Sequence, residues 1–212
     1  MPIAGIFAAL LAATAANTTA MPAERPVVRV LVQTEGALAV DRRMLTDIAR
    51  TAREIWRPYA DVTFDLAGEG VRSSAALRLT ITDRISTLSD SASLGWIEFV
   101  DGRPSNLITI SATAAAALMK ASRWRELPKF VQRIFLVQAM ARAIAHELGH
   151  YLLASREHAA QGLMRGQLTA DDIMQPHRSS FRLNRSQVEQ LQRDALVARR
   201  DEPTEDSGRG LP

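Results

Sequence analysis

Apolar positions fall in short β-branched runs over the first half of the chain and at helical spacing over the second. Val27-Val28-Arg29-Val30-Leu31-Val32 is continuous enough to predict a buried strand. Asp41 can cap a following helix with the apolar stripe Leu45, Ile48, Ala49, Ala52, Ile55 and Trp56, and Pro58 ends it. Asp61 to Leu66 alternates as a strand should, and Leu77 to Thr82 is a third strand of the same kind. Leu94 to Val100 predicts a fourth, ending in the hairpin signal Asp101-Gly102, and Leu107 to Ile110 a fifth.

From Ser111 to Trp124 the chain is alanine-rich and reads as helix. Leu127-Pro128 opens a long helix from Phe130 to Leu152, since proline favours a helix start. Ile134, Val137, Ala141, Ile144, Leu148 and Leu152 line one side of it. A turn-like region follows from Ala159 to Gly166, with a short helix from Thr169 to Met174 and a last helix, capped by Asn184 or Ser186, that carries Val188, Leu191 and Leu196. Strand, helix, four strands and then helices, without an internal repeat, predict one α/β or α+β domain. Its core would be a mixed, twisted five-stranded sheet with helices on a face.

Composition narrows the chemistry. The 212 residues are 47% apolar and 23% charged, a balance that supports a real core. There is no cysteine, which excludes disulfides, thiolate metal sites and cysteine nucleophiles. Any metal must be held by nitrogen or oxygen. The formal charge is +3 and the pI near 9.9, but acidic residues interrupt the basic ones, so no nucleic-acid partner is expected. Ile3 to Ala16 is uncharged and apolar, with small residues at Ala16 and Ala20, like the apolar part of a signal peptide lacking its basic start. The expectation is a signal segment over 1–20, a catalytic domain over 27–198 and a disordered tail over 199–212, in a secreted or periplasmic protein without stable membrane insertion; a mis-assigned start or an N-terminal anchor are the alternatives.

His146-Glu147-Leu148-Gly149-His150 is the pattern H-E-x-x-H on a predicted helix. Spacing of four sets both imidazoles on one face, a turn apart, within reach of one ion. Val137, Ile144 and Leu148 point about 160 to 200 degrees away, leaving one face for the core. Of four histidines in the chain, His146, His150 and His158 fall within thirteen residues. A catalytic zinc takes three protein ligands and keeps one position open, and His158 can supply the third if the chain turns back after Leu153. Glu157 is a rival third ligand, and His177 reads as a surface histidine.

The stretch His146 to Leu153, followed by His158 and then Gly162-Leu163-Met164, resembles the zinc site and methionine turn of the metzincin metallopeptidases. In that clan the third histidine follows the second after six residues with a glycine between; here it follows after eight and Leu153 holds the glycine position, as if two residues were inserted around Ala154-Ser155-Arg156-Glu157. The resemblance implies one zinc ion on His146, His150 and His158, Met164 in a tight turn beneath it, and an edge strand, by position Leu94 to Val100, that binds a peptide or protein substrate. Glu147 would act as general base on the zinc-activated water and then as proton donor to the leaving amine. No tyrosine follows Met164, so no tyrosine-assisted variant is expected. Gly149 hints at a steric need, because glycine costs helix stability. Trp96 reads as a core aromatic. A zinc-binding interaction protein without proteolytic activity, or a hydrolase of small or cell-wall peptides, are the alternatives to an endopeptidase.

Overall fold

The β-branched runs form strands β1 (Val27–Glu35), β2 (Asp61–Leu66), β3 (Leu77–Thr82), β4 (Gly95–Val100) and β5 (Arg103–Ser111), in the sheet order β2-β1-β3-β5-β4. The first four strands in that order run parallel and β4 runs antiparallel at the border, so the sheet is mixed and five-stranded, as expected. This computed structural model describes residues 25–36, 40–67, 77–86, 93–120, 123–174 and 181–200. The signal-like segment, the chain beyond residue 200, and His177 lie outside them.

Burial follows strand position. β3, in the middle of the sheet, is buried at every residue but Arg78, whereas β1 alternates with Val28, Val30 and Val32 inside. β4 and β5 meet at Asp101-Gly102, both with positive φ, the turn geometry that a tight hairpin prefers.

The helices are α1 (Arg42–Trp56), α2 (Ala112–Lys120), α3 (Lys129–Leu152), α4 (Ala170–Met174) and α5 (Arg185–Arg200). Asp41 caps α1 by accepting from the Met44 amide at 2.7 Å, and it also receives two guanidinium bonds from Arg133 of α3 at 2.8 and 2.9 Å. Ser111 does the same for α2 through the Ala114 amide, and Asn184 for α5 through that of Gln187. α1 packs on α3, and α3 lies along β5 and β4. The helix expected over 111–124 ends at Lys120, and a separate 3-10 turn covers Arg123–Glu126. α5 continues through Arg200. Among the described residues no helix is long and apolar enough to cross a membrane.

Burial along α3 is uneven. Its apolar stripe lines one side, but not all of that side is core: Ile134 is 49% exposed, and Phe130, one turn earlier, 69%. Burial begins in earnest at Val137, and from Ala139 to His150 every residue is inside, polar ones included. The first turns run along the surface; the rest is enclosed by α1, α2, β4 and β5.

Candidate metal centre

Enclosure of α3 is what places its polar residues. The Trp56 indole, fully buried at the end of α1, donates to the Ala145 carbonyl at 3.0 Å and fixes the helix one residue before His146. His146 and His150 then lie side by side, ring centroids 4.7 Å apart, with His158 stacked on His146 at 5.2 Å. One ligand atom from each of the three histidines lies within 4.8 Å of the others.

Hydrogen bonds fix the ring states. Nδ1 of His146 is 2.9 Å from the Leu163 carbonyl and Nδ1 of His150 is 2.7 Å from that of Ser155. A carbonyl oxygen only accepts, so both Nδ1 atoms carry the proton and both Nε2 atoms present lone pairs. Those two Nε2 atoms face one another at 3.1 Å. Two acceptors at that distance repel unless a cation lies between or beside them. Burial also drives His146 down to about 4, helped by its histidine neighbours, and lowers His150, so neither ring relieves the repulsion by protonation at neutral pH. Three imidazoles with carbonyl-bound Nδ1 atoms on two of them fit a small divalent metal ion of the zinc type.

The turn after α3 returns His158 to this point. Leu153 is the helix C-cap, and the next residue, Ala154, has φ of 44°. The Ala154 amide bonds the Tyr151 carbonyl and the Ser155 amide that of His150, the pair of reversed bonds that terminates a helix in the left-handed conformation. Glycine usually holds this position; here alanine takes it, one residue after the glycine position of the metzincin pattern. Farther on, Ala159 donates to the Met164 carbonyl at 2.7 Å and bridges Arg165, closing the loop.

Leu163, whose carbonyl meets His146, and Met164, packed against Gly149, are each 1% exposed. Gly162 turns the chain there with φ of 85°, packed against the Arg182 carbonyl, which accepts from the Leu163 amide at 2.9 Å. Leu163 is thus held on one side by residue 182 while its own carbonyl holds His146. A Cβ on Gly149 would collide with the Met164 sulfur, which explains a glycine in the middle of the site helix.

Glu147 is 6% exposed, makes no hydrogen bond to the described residues, and faces a cleft of about 1030 Å³. Burial pushes its carboxyl up to about 8. Its Cγ would lie 3.1 Å from a Cβ on Gly95, so β4 can approach the helix only because that residue is glycine. The cleft runs between β4 and the loop after Arg165, and the three histidines line it with Glu147. Trp96 lines it as well, half-buried instead of core, because β4 is the border strand. A second cavity of about 800 Å³, between α1 and α3, touches none of these groups.

All four residues singled out by the motif therefore meet in one place, while Glu157 stands exposed outside the cluster. The Leu163 and Ser155 carbonyls had no signal in the sequence, because a backbone group has no letter. Gly95 carried one only in hindsight, as a glycine inside a strand.

No family model matches the chain, and no curated protein matches it. Among solved structures it is similar to archaemetzincin from Methanopyrus kandleri, with 14% identity and a TM-score of 0.50 over 82% of this chain and 96% of that one. It is also similar to a zinc-dependent peptidase from Methanocorpusculum labreanum, with 10% identity and a TM-score of 0.47 over 77% and 99%. The shared feature at this identity is architecture: the chain has the mixed α/β fold of archaemetzincin over most of its length.

Proposed function

We propose that this chain is a zinc-dependent peptidase in which His146, His150 and His158 hold one zinc ion and Glu147 is the general base. The observation that carries the reading is the pair of Nε2 lone pairs 3.1 Å apart, beside a third histidine and a glutamate without a hydrogen-bond partner among the described residues, in a cleft open along a strand edge. When bound, zinc supplies Lewis acidity that lowers the pKa of water and polarises a carbonyl. Ionised by the positive charge that the three histidines would hold beside it, Glu147 takes the proton from the attacking water and delivers it to the amine nitrogen as the carbon–nitrogen bond breaks. Its dry setting, closed on one side by Gly95, keeps bulk water from competing for that proton. β4 aligns the substrate: an extended peptide adds to its free edge and lies across the histidines. The fold shared with archaemetzincin supports the reading. The signal-like composition of residues 3–16 favours substrates outside the cytoplasm.

The test is to incubate the wild type and Glu147→Gln with a diverse peptide mixture and identify new termini by mass spectrometry, after matching zinc content and melting behaviour. The wild type is expected to cut and the variant not. Zinc-loaded wild type that cuts nothing would remove the peptidase reading, and failure of both proteins to bind zinc would remove the ligand assignment.

A further inference from the structure

Arg156 belongs to the stretch Ala154-Ser155-Arg156-Glu157 that lengthens the span between His150 and His158. It is exposed, yet it is held in a defined place. Its guanidinium donates to the Phe99 carbonyl of β4 at 3.3 Å and lies over the Phe99 ring, 4.6 Å from the centroid. The same ring stands edge-on to His150 at 6.5 Å. The guanidinium is therefore within about 11 Å of the His150 ring, roughly three residues of extended chain.

The charges lining the cleft are few. Among the described residues they are Glu98, Glu147, Arg156 and Arg165. Arg165 is neutralised by Asp172, and Glu147 has its own task. Arg156 forms no ion pair among the described residues; neither Glu98 on β4 nor its neighbour Glu157 pairs with it. A guanidinium has five N–H donors in a planar fork suited to a carboxylate, and one bond to a neutral carbonyl uses a small part of that capacity.

We propose that Arg156, braced across the end of the cleft by Phe99, selects substrates that place a carboxylate there, within about three residues of the scissile bond. The carboxylate comes from an aspartate or glutamate side chain or from a free C-terminus. This inference rests on the peptidase reading and names its substrate class.

Binding, read apart from cleavage, tests it. Zinc-loaded full-length Glu147→Gln is titrated by fluorescence anisotropy with labelled peptides in matched sets: glutamate against glutamine at each position along an amidated sequence, and the free acid against the amide of a neutral sequence. One glutamate position, or the free acid, is expected to bind about ten-fold more tightly than its neutral match. Adding Arg156→Gln should bring that ratio near one, and Arg156→Lys, which keeps the charge, should restore part of it. Tightening by glutamate alone assigns the subsite to a side chain, and by the free acid alone to a chain end. Equal binding of charged and neutral peptides, or a preference that survives Arg156→Gln, overturns the inference and leaves the peptidase reading standing. If no peptide binds and the wild type cuts none, both fall.

Discussion

His150 and Ser155 are bonded to each other twice, through the ring Nδ1 to the Ser155 carbonyl at 2.7 Å and through the Ser155 amide to the His150 carbonyl at 3.2 Å. The end of the site helix and the orientation of its second histidine are thus one device. Gln190 of α5 secures it from outside by donating to the Leu153 carbonyl at 2.6 Å.

The residue at the centre of that device has the wrong side chain for its backbone. Ala154 sits at φ of 44°, where a Cβ is strained. Ala154→Gly should relieve the strain and stabilise the chain by roughly 0.5–1 kcal/mol, after allowing for the freer unfolded chain. Equilibrium denaturation in urea reads the gain; an unchanged or lower midpoint would show that the turn is relaxed with alanine.

Gly149 and Met164 make a second test. In most helices Gly→Ala stabilises by about 1 kcal/mol, but here the added methyl meets the Met164 sulfur. Gly149→Ala should destabilise by roughly 1–3 kcal/mol as overpacking outweighs propensity. Met164→Ala in the same chain should recover part of that loss, and a double-mutant cycle measures the coupling.

Removal of the metal has a predicted structural readout. Without a cation, the Nε2 atoms of His146 and His150 face each other unshielded. A chelator should lower the melting temperature, and zinc at about 1,000 times its dissociation constant should return about 4 kcal/mol. His146→Gln should remove the response to both additions. Calorimetry and metal analysis decide it.

Asp41 carries a pH prediction. Its hydrogen bond to Arg133, joined by the cap bond to Met44, lowers the carboxyl from 3.8 to about 2. The folded state therefore holds the proton less tightly than the unfolded state. The contribution is fully present above about pH 4 and disappears as pH falls towards 2. Asp41→Asn should retain a helix cap but flatten this part of the acid-unfolding curve, measured by circular dichroism from pH 5 to pH 2. A curve that keeps its slope would assign the acid response to other carboxylates.

What could be read from sequence follows from which interactions are local. Asp41 as a cap, the bounds of β2 and β3, and the meeting of His146 with His150 depend on residues a few positions apart, and each has a letter pattern. Trp96 misled because it is apolar in apolar surroundings, and its exposure depends on where the sheet ends. The burial of Arg142, His146 and Glu147 was invisible for the converse reason: helical periodicity predicts a single wet face, and α3 has none past Val137. Arg156 gave no signal, since its partner is a carbonyl on a strand 57 residues away.

The two borders of the sheet face the same hazard in different ways. Along β2, Asp61 and Asp65 are paired with Arg25 and Arg29, and this row of charge discourages another strand from adding. β4 has no such guard if it is to receive a peptide, so it is as open to a second copy of this chain as to a substrate. Its defence is brevity: six residues with a register shift between Ile97 and Phe99, and an arginine on the Phe99 carbonyl. A guest can pair over only a few residues before the ladder breaks. That is enough to hold a peptide for one encounter and too little to seed a growing sheet, so self-association should be weak, and most evident at high protein concentration without substrate.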